Sequence, residues 1–200
     1  MNLKIEKVKE SRINQIDFSK LSFGKTFADH IFICEYKDGQ WQNPTIKPYA
    51  PITLEPSASV FHYGQAVFEG MKAYKDDNGH VFLFRPQENY KRINKSCARL
   101  AMPEFPEEWF DQALRTLVDI DSEWIKPGFG NALYLRPFMI ATTAGVQAAP
   151  AKNYLFMIIT APVQAYYKGD VKVKIADYYS RAANGGFGFA KAAGNYAGQF

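Results

Sequence analysis

One amine stands nearly alone in this sequence. Lys191 is the single charged residue between Ala182 and Phe200, and six alanines and five glycines occupy that 19-residue stretch. Residues this small let a flat ligand or another backbone approach closely. An amine among them loses part of its water, and desolvation lowers a lysine pKa from about 10.4 toward neutrality. A neutral amine is the nucleophile that forms a Schiff base with an aldehyde cofactor. The same composition also describes a flexible Gly/Ala loop with one solvated lysine, and composition alone does not separate the two. Other chemistries find less support. Phe23-Gly24-Lys25-Thr26 ends like a phosphate-binding P-loop, but position 19 is Ser where that loop needs Gly. The glycines at 128, 130 and around 186 miss the GxGxxG pattern of dinucleotide sites. Cys34 and Cys97 form no CxxC pair, and with only His30, His62 and His80 no metal-ligand spacing can be assembled.

Several elements must position that amine. Residues 27–37 read as a strand rich in Phe and Ile, and four prolines (Pro44, Pro48, Pro51, Pro56) make 44–56 a loop or edge. Met71 to Phe84 reads as a hairpin, its arms flanking Asp76-Asp77-Asn78-Gly79, where Asn-Gly supplies the positive φ of a turn. Pro86 opens a helix to about Leu100, with Tyr90, Ile93, Cys97 and Leu100 at spacings of three and four. Pro106-Glu107-Glu108 starts a second helix, with Phe110, Leu114, Leu117 and Val118 as its apolar face. Residues 132–142 and 153–160 read as strands, 165–170 as a linker, and 171–176 as a strand by alternation. Several strands around two consecutive helices predict the α+β class.

The composition is that of a globular protein, 47% hydrophobic and 22% charged, long enough for one domain or two modest ones. The net charge of +4 comes from 24 basic and 20 acidic residues that are interspersed. A nucleic-acid binder would carry a basic stripe. The nearest run, Lys91 to Arg99, places Arg92, Lys95 and Arg99 at helical spacing and reads as a solvated helix face. The charged N-terminus lacks the apolar core of a signal peptide, and the longest apolar run, Tyr154 to Val163, falls short of the ~20 residues of a membrane span. A cytoplasmic setting is expected, with neither nucleic acid nor membrane as partner.

Arg181 to Tyr196 (RAANGGFGFAKAAGNY) resembles the lysine segment of the branched-chain amino-acid aminotransferases, which are pyridoxal-phosphate enzymes of fold-type IV. FGKTFADH (23–30), FHYGQAVFEGMKAY (61–74), LFRP (83–86), LYLRP (133–137) and APVQAYY (161–167) fall in the family's order and at its spacing. The resemblance covers most of the chain. It implies a small N-terminal domain over 1–165, a linker over 166–172 and the start of the large cofactor-binding domain over 173–200. It also implies a homodimer and ping-pong transamination of leucine, isoleucine and valine with 2-oxoglutarate.

The resemblance assigns roles residue by residue. Lys191 would condense with pyridoxal phosphate and later carry the proton from the substrate Cα. Arg85, in LFRP, would bind the cofactor phosphate, although by itself it reads as a surface ion-pair residue. Tyr196 would donate to the cofactor's phenolic oxygen, although alone it reads as a packing aromatic. Arg181 is a weaker candidate for the phosphate side. Phe23, Tyr63, Phe68, Tyr134 and Tyr166 would line the substrate pocket, with Tyr63 serving the neighbouring subunit. Arg136 would take the side-chain carboxylate of glutamate, and the Tyr134 phenol, on the same strand face, could hydrogen-bond nearby. Family members continue well over a hundred residues past this lysine and supply there a glutamate for the pyridine nitrogen. No Glu follows Glu123, so the 200 residues by themselves are expected to be nearly inactive. Two other readings stay open: a non-catalytic dimerisation or binding module, and another fold-type IV enzyme such as a D-amino-acid aminotransferase or an aminodeoxychorismate lyase.

Overall fold

The computed structural model describes every residue except Lys168 and Phe200, and Gln199 by its backbone alone. Its strands are β1 (Lys4–Ile5), β2 (His30–Lys37), β3 (Gln40–Pro48), β4 (Ala66–Phe68), β5 (Met71–Lys75), β6 (Val81–Leu83), β7 (Ala132–Ala141) and β8 (Tyr154–Val163). They form one sheet in the order β1-β3-β2-β8-β7-β5-β6, with β4 also paired to β7. Among the described residues only the β1–β3 pairing is parallel. A short helix α1 (Ser59–Tyr63) precedes β4, and two 14-residue helices, α2 (Pro86–Arg99) and α3 (Glu107–Ile120), lie between β6 and β7.

The helices cover one face of the sheet because their apolar stripes match it. Ile93 and Cys97 of α2, and Phe110, Leu114 and Leu117 of α3, are buried with Leu133, Leu135 and Met139 of β7 and Phe156 and Ile158 of β8. Alternation along β7 then sends Tyr134, Arg136, Phe138 and Ile140 to the opposite face. Burial pushes both Cys34 and Cys97 thiols up to about 12, so neither is poised to react.

Several expectations need correction. Of the loop or edge expected over 44–56, Pro51 and Pro56 do lie in a loop, but Pro44 and Pro48 belong to β3, which among the described residues only the two-residue β1 flanks on its outer side. The β2–β3 register shifts between Ile33 and Glu35, beside Asn43 at φ +55°, so Pro44 sits in a bulge where its missing N–H breaks no regular ladder. The hairpin forms, but among its turn residues only Gly79 has positive φ, and Asp76 closes the turn by accepting from Asn78 and His80 N–H. Residues 171–176 form no strand: Val173 and Ile175 are almost fully exposed, because no sheet edge among the described residues receives their alternating pattern.

The entry to β2 is a buried polar hub. Asp29 accepts from Ser11 Oγ (2.5 Å), Arg12 N (3.1 Å) and Trp124 Nε1 (2.9 Å). His30 Nε2 accepts from Val8 N (3.0 Å), which leaves the proton on Nδ1 for Asp121 at 2.7 Å. These bonds strap residues 8–12 to the end of α3.

Candidate active site

The site lies on the face of the sheet away from α2 and α3. β4 and β5 run along one edge of β7 in a single unshifted register, interrupted only at Glu69 and Gly70. The interruption falls opposite Pro137, which has no N–H to donate, while Glu69 N donates to the Pro137 carbonyl (2.7 Å). Alternation places Phe68 on the open face and Glu69 on the helix face.

Gly70 faces Arg136 across the strands, and its lack of a side chain leaves room for the Tyr134 phenol. A Cβ there would stand 2.4 Å from Tyr134 Oη. The phenol occupies that space and accepts from Arg136 Nε (3.0 Å) and Nη2 (2.7 Å). Arg136 lies 4.6 Å above the Phe68 ring, and Phe23 contacts Tyr134 edge-on at 5.0 Å and Tyr166 at 5.1 Å.

Lys191 enters beside β4. Ala192 pairs with Val67, the Lys191 carbonyl accepts from Phe68 N (3.1 Å), and Lys191 N donates to Ser96 Oγ of α2 (2.9 Å). Its Nζ donates to Tyr196 Oη (3.0 Å) and lies 4.4 Å from the Phe68 ring centroid. Arg181 stacks over the Tyr196 ring at 4.9 Å. Asn195 Nδ2 ties the loop to itself through the Phe187 and Ala190 carbonyls. Gly188 is fixed by close approach, since a Cβ would come within 2.6 Å of Ala182 Cα. A cavity of about 630 Å³ opens beside these groups, walled by Phe68, Phe138, Ile140 and Ile159, with Arg136 and Tyr196 as its polar margins. That volume suits a small organic ligand.

The sequence-predicted residues divide into two groups. Lys191, Tyr196, Arg181, Phe68, Arg136, Tyr134, Phe23 and Tyr166 form one continuous set of contacts. Arg85 and Tyr63 stand outside it. Arg85 caps α2 in a left-handed conformation, mostly exposed, with Glu88 3.8 Å away. Tyr63 donates to the Val146 carbonyl and lines a different hollow, with Gln65, Leu100 and Pro150.

The structure also brings in residues that pattern reasoning passed over. Glu69 is fully buried and accepts from Arg92 Nε (2.5 Å) and Nη2 (2.9 Å), Asn89 Nδ2 (2.7 Å) and Gly70 N (3.1 Å). The hydrogen bonds to Glu69 hold the Arg92 guanidinium above its usual pKa. Lys95 packs over Phe189 and Arg99 over Phe187. The basic side of α2 is therefore the support of the lysine loop and not only a solvated face. Arg92 and Ser96 at i, i+4 were the available signal, but nothing local says what that face meets.

No family model matches the chain. It is 50% identical to branched-chain-amino-acid transaminase 1 of Bacillus subtilis, over 90% of this chain and 52% of that protein. It is 47% identical to a probable branched-chain-amino-acid aminotransferase of Staphylococcus epidermidis, over 98% of this chain and 55% of the relative. Among solved structures it resembles a T.th. branched-chain amino acid aminotransferase with pyridoxamine 5'-phosphate (TM-score 0.57, 26% identity, 82% of this chain and 52% of the other). The Escherichia coli branched-chain amino acid aminotransferase shares the fold (TM-score 0.53, 20% identity, 84% and 50%). The chain is thus a relative of the branched-chain-amino-acid aminotransferases with the α+β architecture of fold-type IV, and it spans about half the length of the curated relatives it matches.

Proposed function

We propose that this chain contributes the lysine-bearing half of a pyridoxal-phosphate aminotransferase acting on branched-chain L-amino acids and 2-oxoglutarate. One observation carries the reading: the Lys191 amine lies 3.0 Å from a phenol at the margin of an apolar cavity that also holds a cation able to take a carboxylate, Arg136. The residues fit the cofactor. An amine between two aromatic rings can meet an aldehyde, and the guanidinium of Arg181, stacked on one of those rings, can meet a phosphate. When bound, pyridoxal phosphate supplies the carbonyl and the electron-withdrawing ring.

The chain's own groups then have distinct tasks. Lys191 would hold the cofactor through its amine and would move a proton at the substrate Cα. Tyr196 orients that amine. Phe68, Phe138 and Ile159 exclude water and offer an aliphatic substrate an apolar wall. Arg136 receives the distal carboxylate of glutamate or 2-oxoglutarate, and between half-reactions the Tyr134 phenol keeps the cation hydrogen-bonded. For the phosphate, Arg85 and Arg181 remain the proposed guanidinium groups, with Arg181 stacked on Tyr196 beside Lys191. Phe23 and Tyr166 line the outer pocket.

A homodimer is part of this reading, supported by Tyr63, which lies away from the chain's own cavity and is half exposed. A cytoplasmic setting is also part of this reading; among the described residues no helix is long and apolar enough to cross a membrane, and Cys34 and Cys97 are free thiols. The described residues also favour a unit over 1–165 followed by a connector over 166–172, whose Lys168 lies outside them. β8 closes the core at Val163, and the described residues from Gln164 to Phe187 are exposed.

The test is borohydride reduction of the full-length polypeptide with pyridoxal phosphate, followed by peptide mass mapping and a coupled assay of L-leucine with 2-oxoglutarate. A pyridoxyl adduct on Lys191, and turnover lost in Lys191→Ala, is expected. An unmodified Lys191 would leave only a binding module, and preference for D-alanine would move the protein to another fold-type IV activity.

A further inference from the structure

Both main-chain polar groups of Lys191 are tied, each to a different element. The carbonyl accepts from Phe68 N of β4 (3.1 Å), and the N–H donates to Ser96 Oγ of α2 (2.9 Å), across 95 positions of sequence. Ser96 is 1% exposed. Its hydroxyl donates its one proton to the Arg92 carbonyl (2.9 Å), so toward Lys191 it can act only as an acceptor. One turn earlier, Arg92 is held by the buried Glu69, which belongs to the same strand edge as Phe68. Glu69 thus sets α2 against β4, and Ser96 and Phe68 N transmit that spacing to the two sides of one peptide. By contrast, Asn195 ties the lysine loop only to itself.

We propose that Ser96 is a positioning residue for Lys191, fixing the main chain from which the amine reaches between Phe68 and Tyr196. The inference rests on the pyridoxal-phosphate reading of Lys191. It is separable from an ordinary structural role by sign. A helix-interior serine bonded to its i−4 carbonyl slightly weakens the helix, and alanine is the better helix former. A Ser96 that served only its own helix would therefore tolerate Ser96→Ala with stability equal or slightly raised and capture at Lys191 unmoved. A positioning Ser96 leaves the Lys191 N–H without its acceptor and loosens the amine.

The experiment compares the full-length enzyme with Ser96→Ala, Ser96→Thr and Ser96→Cys. Each is mixed with pyridoxal phosphate and reduced at timed intervals, and the adduct at Lys191 is quantified by mass mapping. The pH midpoint of the bound cofactor's absorbance is recorded alongside, with circular dichroism as the fold check. Ser96→Ala is expected to slow capture at Lys191 about tenfold, the scale of removing one hydrogen-bond partner, and to shift the midpoint. Ser96→Thr, which keeps the hydroxyl, is expected to recover most of both. Capture by a folded Ser96→Ala at the parent rate, with an unmoved midpoint, overturns the proposal while leaving the cofactor reading intact. If Ser96→Ala does not fold, Ser96→Cys decides: slower capture supports the proposal, and the parent rate overturns it. Absence of any Lys191 adduct in the parent overturns the cofactor reading, and this proposal with it.

Discussion

Glu69→Gln tests the frame on which the site is built. Glu69 is wholly buried and accepts four hydrogen bonds, while the Arg92 side chain opposite is 53% exposed. Glutamine keeps the shape. Its oxygen can take the place that meets Arg92 Nη2, Asn89 and Gly70, but its amide nitrogen must then face Arg92 Nε, donor against donor. Hydrogen bonds to a charged group are worth about 1.5–3 kcal/mol against about 1 for neutral ones. Removing one partner of a buried pair costs about 3–5 kcal/mol. Here the partner left behind can regain water, so a loss of about 2–3 kcal/mol is expected. At about 2–4 °C per kcal/mol for a chain of this size, the Tm falls by about 4–12 °C. The reverse change is expected to cost more: Arg92→Met strands a fully buried carboxylate, at about 3–5 kcal/mol. Urea unfolding of both variants, with unchanged m-values, measures the two losses. A loss under about 0.5 kcal/mol for Glu69→Gln, the range of ordinary surface changes, or a smaller loss for Arg92→Met than for Glu69→Gln, would refute the reasoning.

Two further outcomes follow from particular contacts. Gly70→Ala forces the Tyr134 ring from its place and takes the acceptor from Arg136. In the full-length enzyme it is expected to raise KM for 2-oxoglutarate about tenfold, the scale of one charge-assisted hydrogen bond, and to raise KM for leucine less; equal effects on both would count against the Arg136 assignment. Acid should release the hub at β2. Burial pushes the Asp29 carboxyl up, but hydrogen bonds from Ser11, Arg12 N and Trp124 outweigh it and hold the group below its usual range. A depressed carboxylate contributes stability that is complete above about pH 4 and disappears as pH falls through the folded value. Asp121 has the opposite sign, raised by burial despite its bond from His30, so its contribution fades as pH rises through its folded value. Asp29→Asn is therefore expected to lower the Tm at neutral pH and to flatten its fall below about pH 4. Parallel acid limbs in thermal melts of the two proteins would contradict this.

Local sequence determined a good deal. The spacing of Ile93 and Cys97, and of Phe110, Leu114 and Leu117, fixed both long helices and their buried faces, because a helix repeats its faces every three to four residues wherever it lies. Asn78-Gly79 marked the hairpin because a turn depends on near neighbours alone, whereas the bare surroundings of Lys191 fitted a solvated loop as well as a reactive amine. The tertiary structure decided which of these pieces meet. Glu69 reads as one acid among many until β7 pairing turns it toward α2, and Arg92, Lys95 and Arg99 read as a solvated row until the lysine loop is laid across them. The alternation of 171–176 foretold a strand, but a strand exists only where an edge accepts its hydrogen bonds. Ser96 and Lys191 stand 95 positions apart and meet through one proton and one lone pair. No periodicity encodes such a contact, because its partners are brought together by the packing of α2 on the sheet and not by anything either residue does alone.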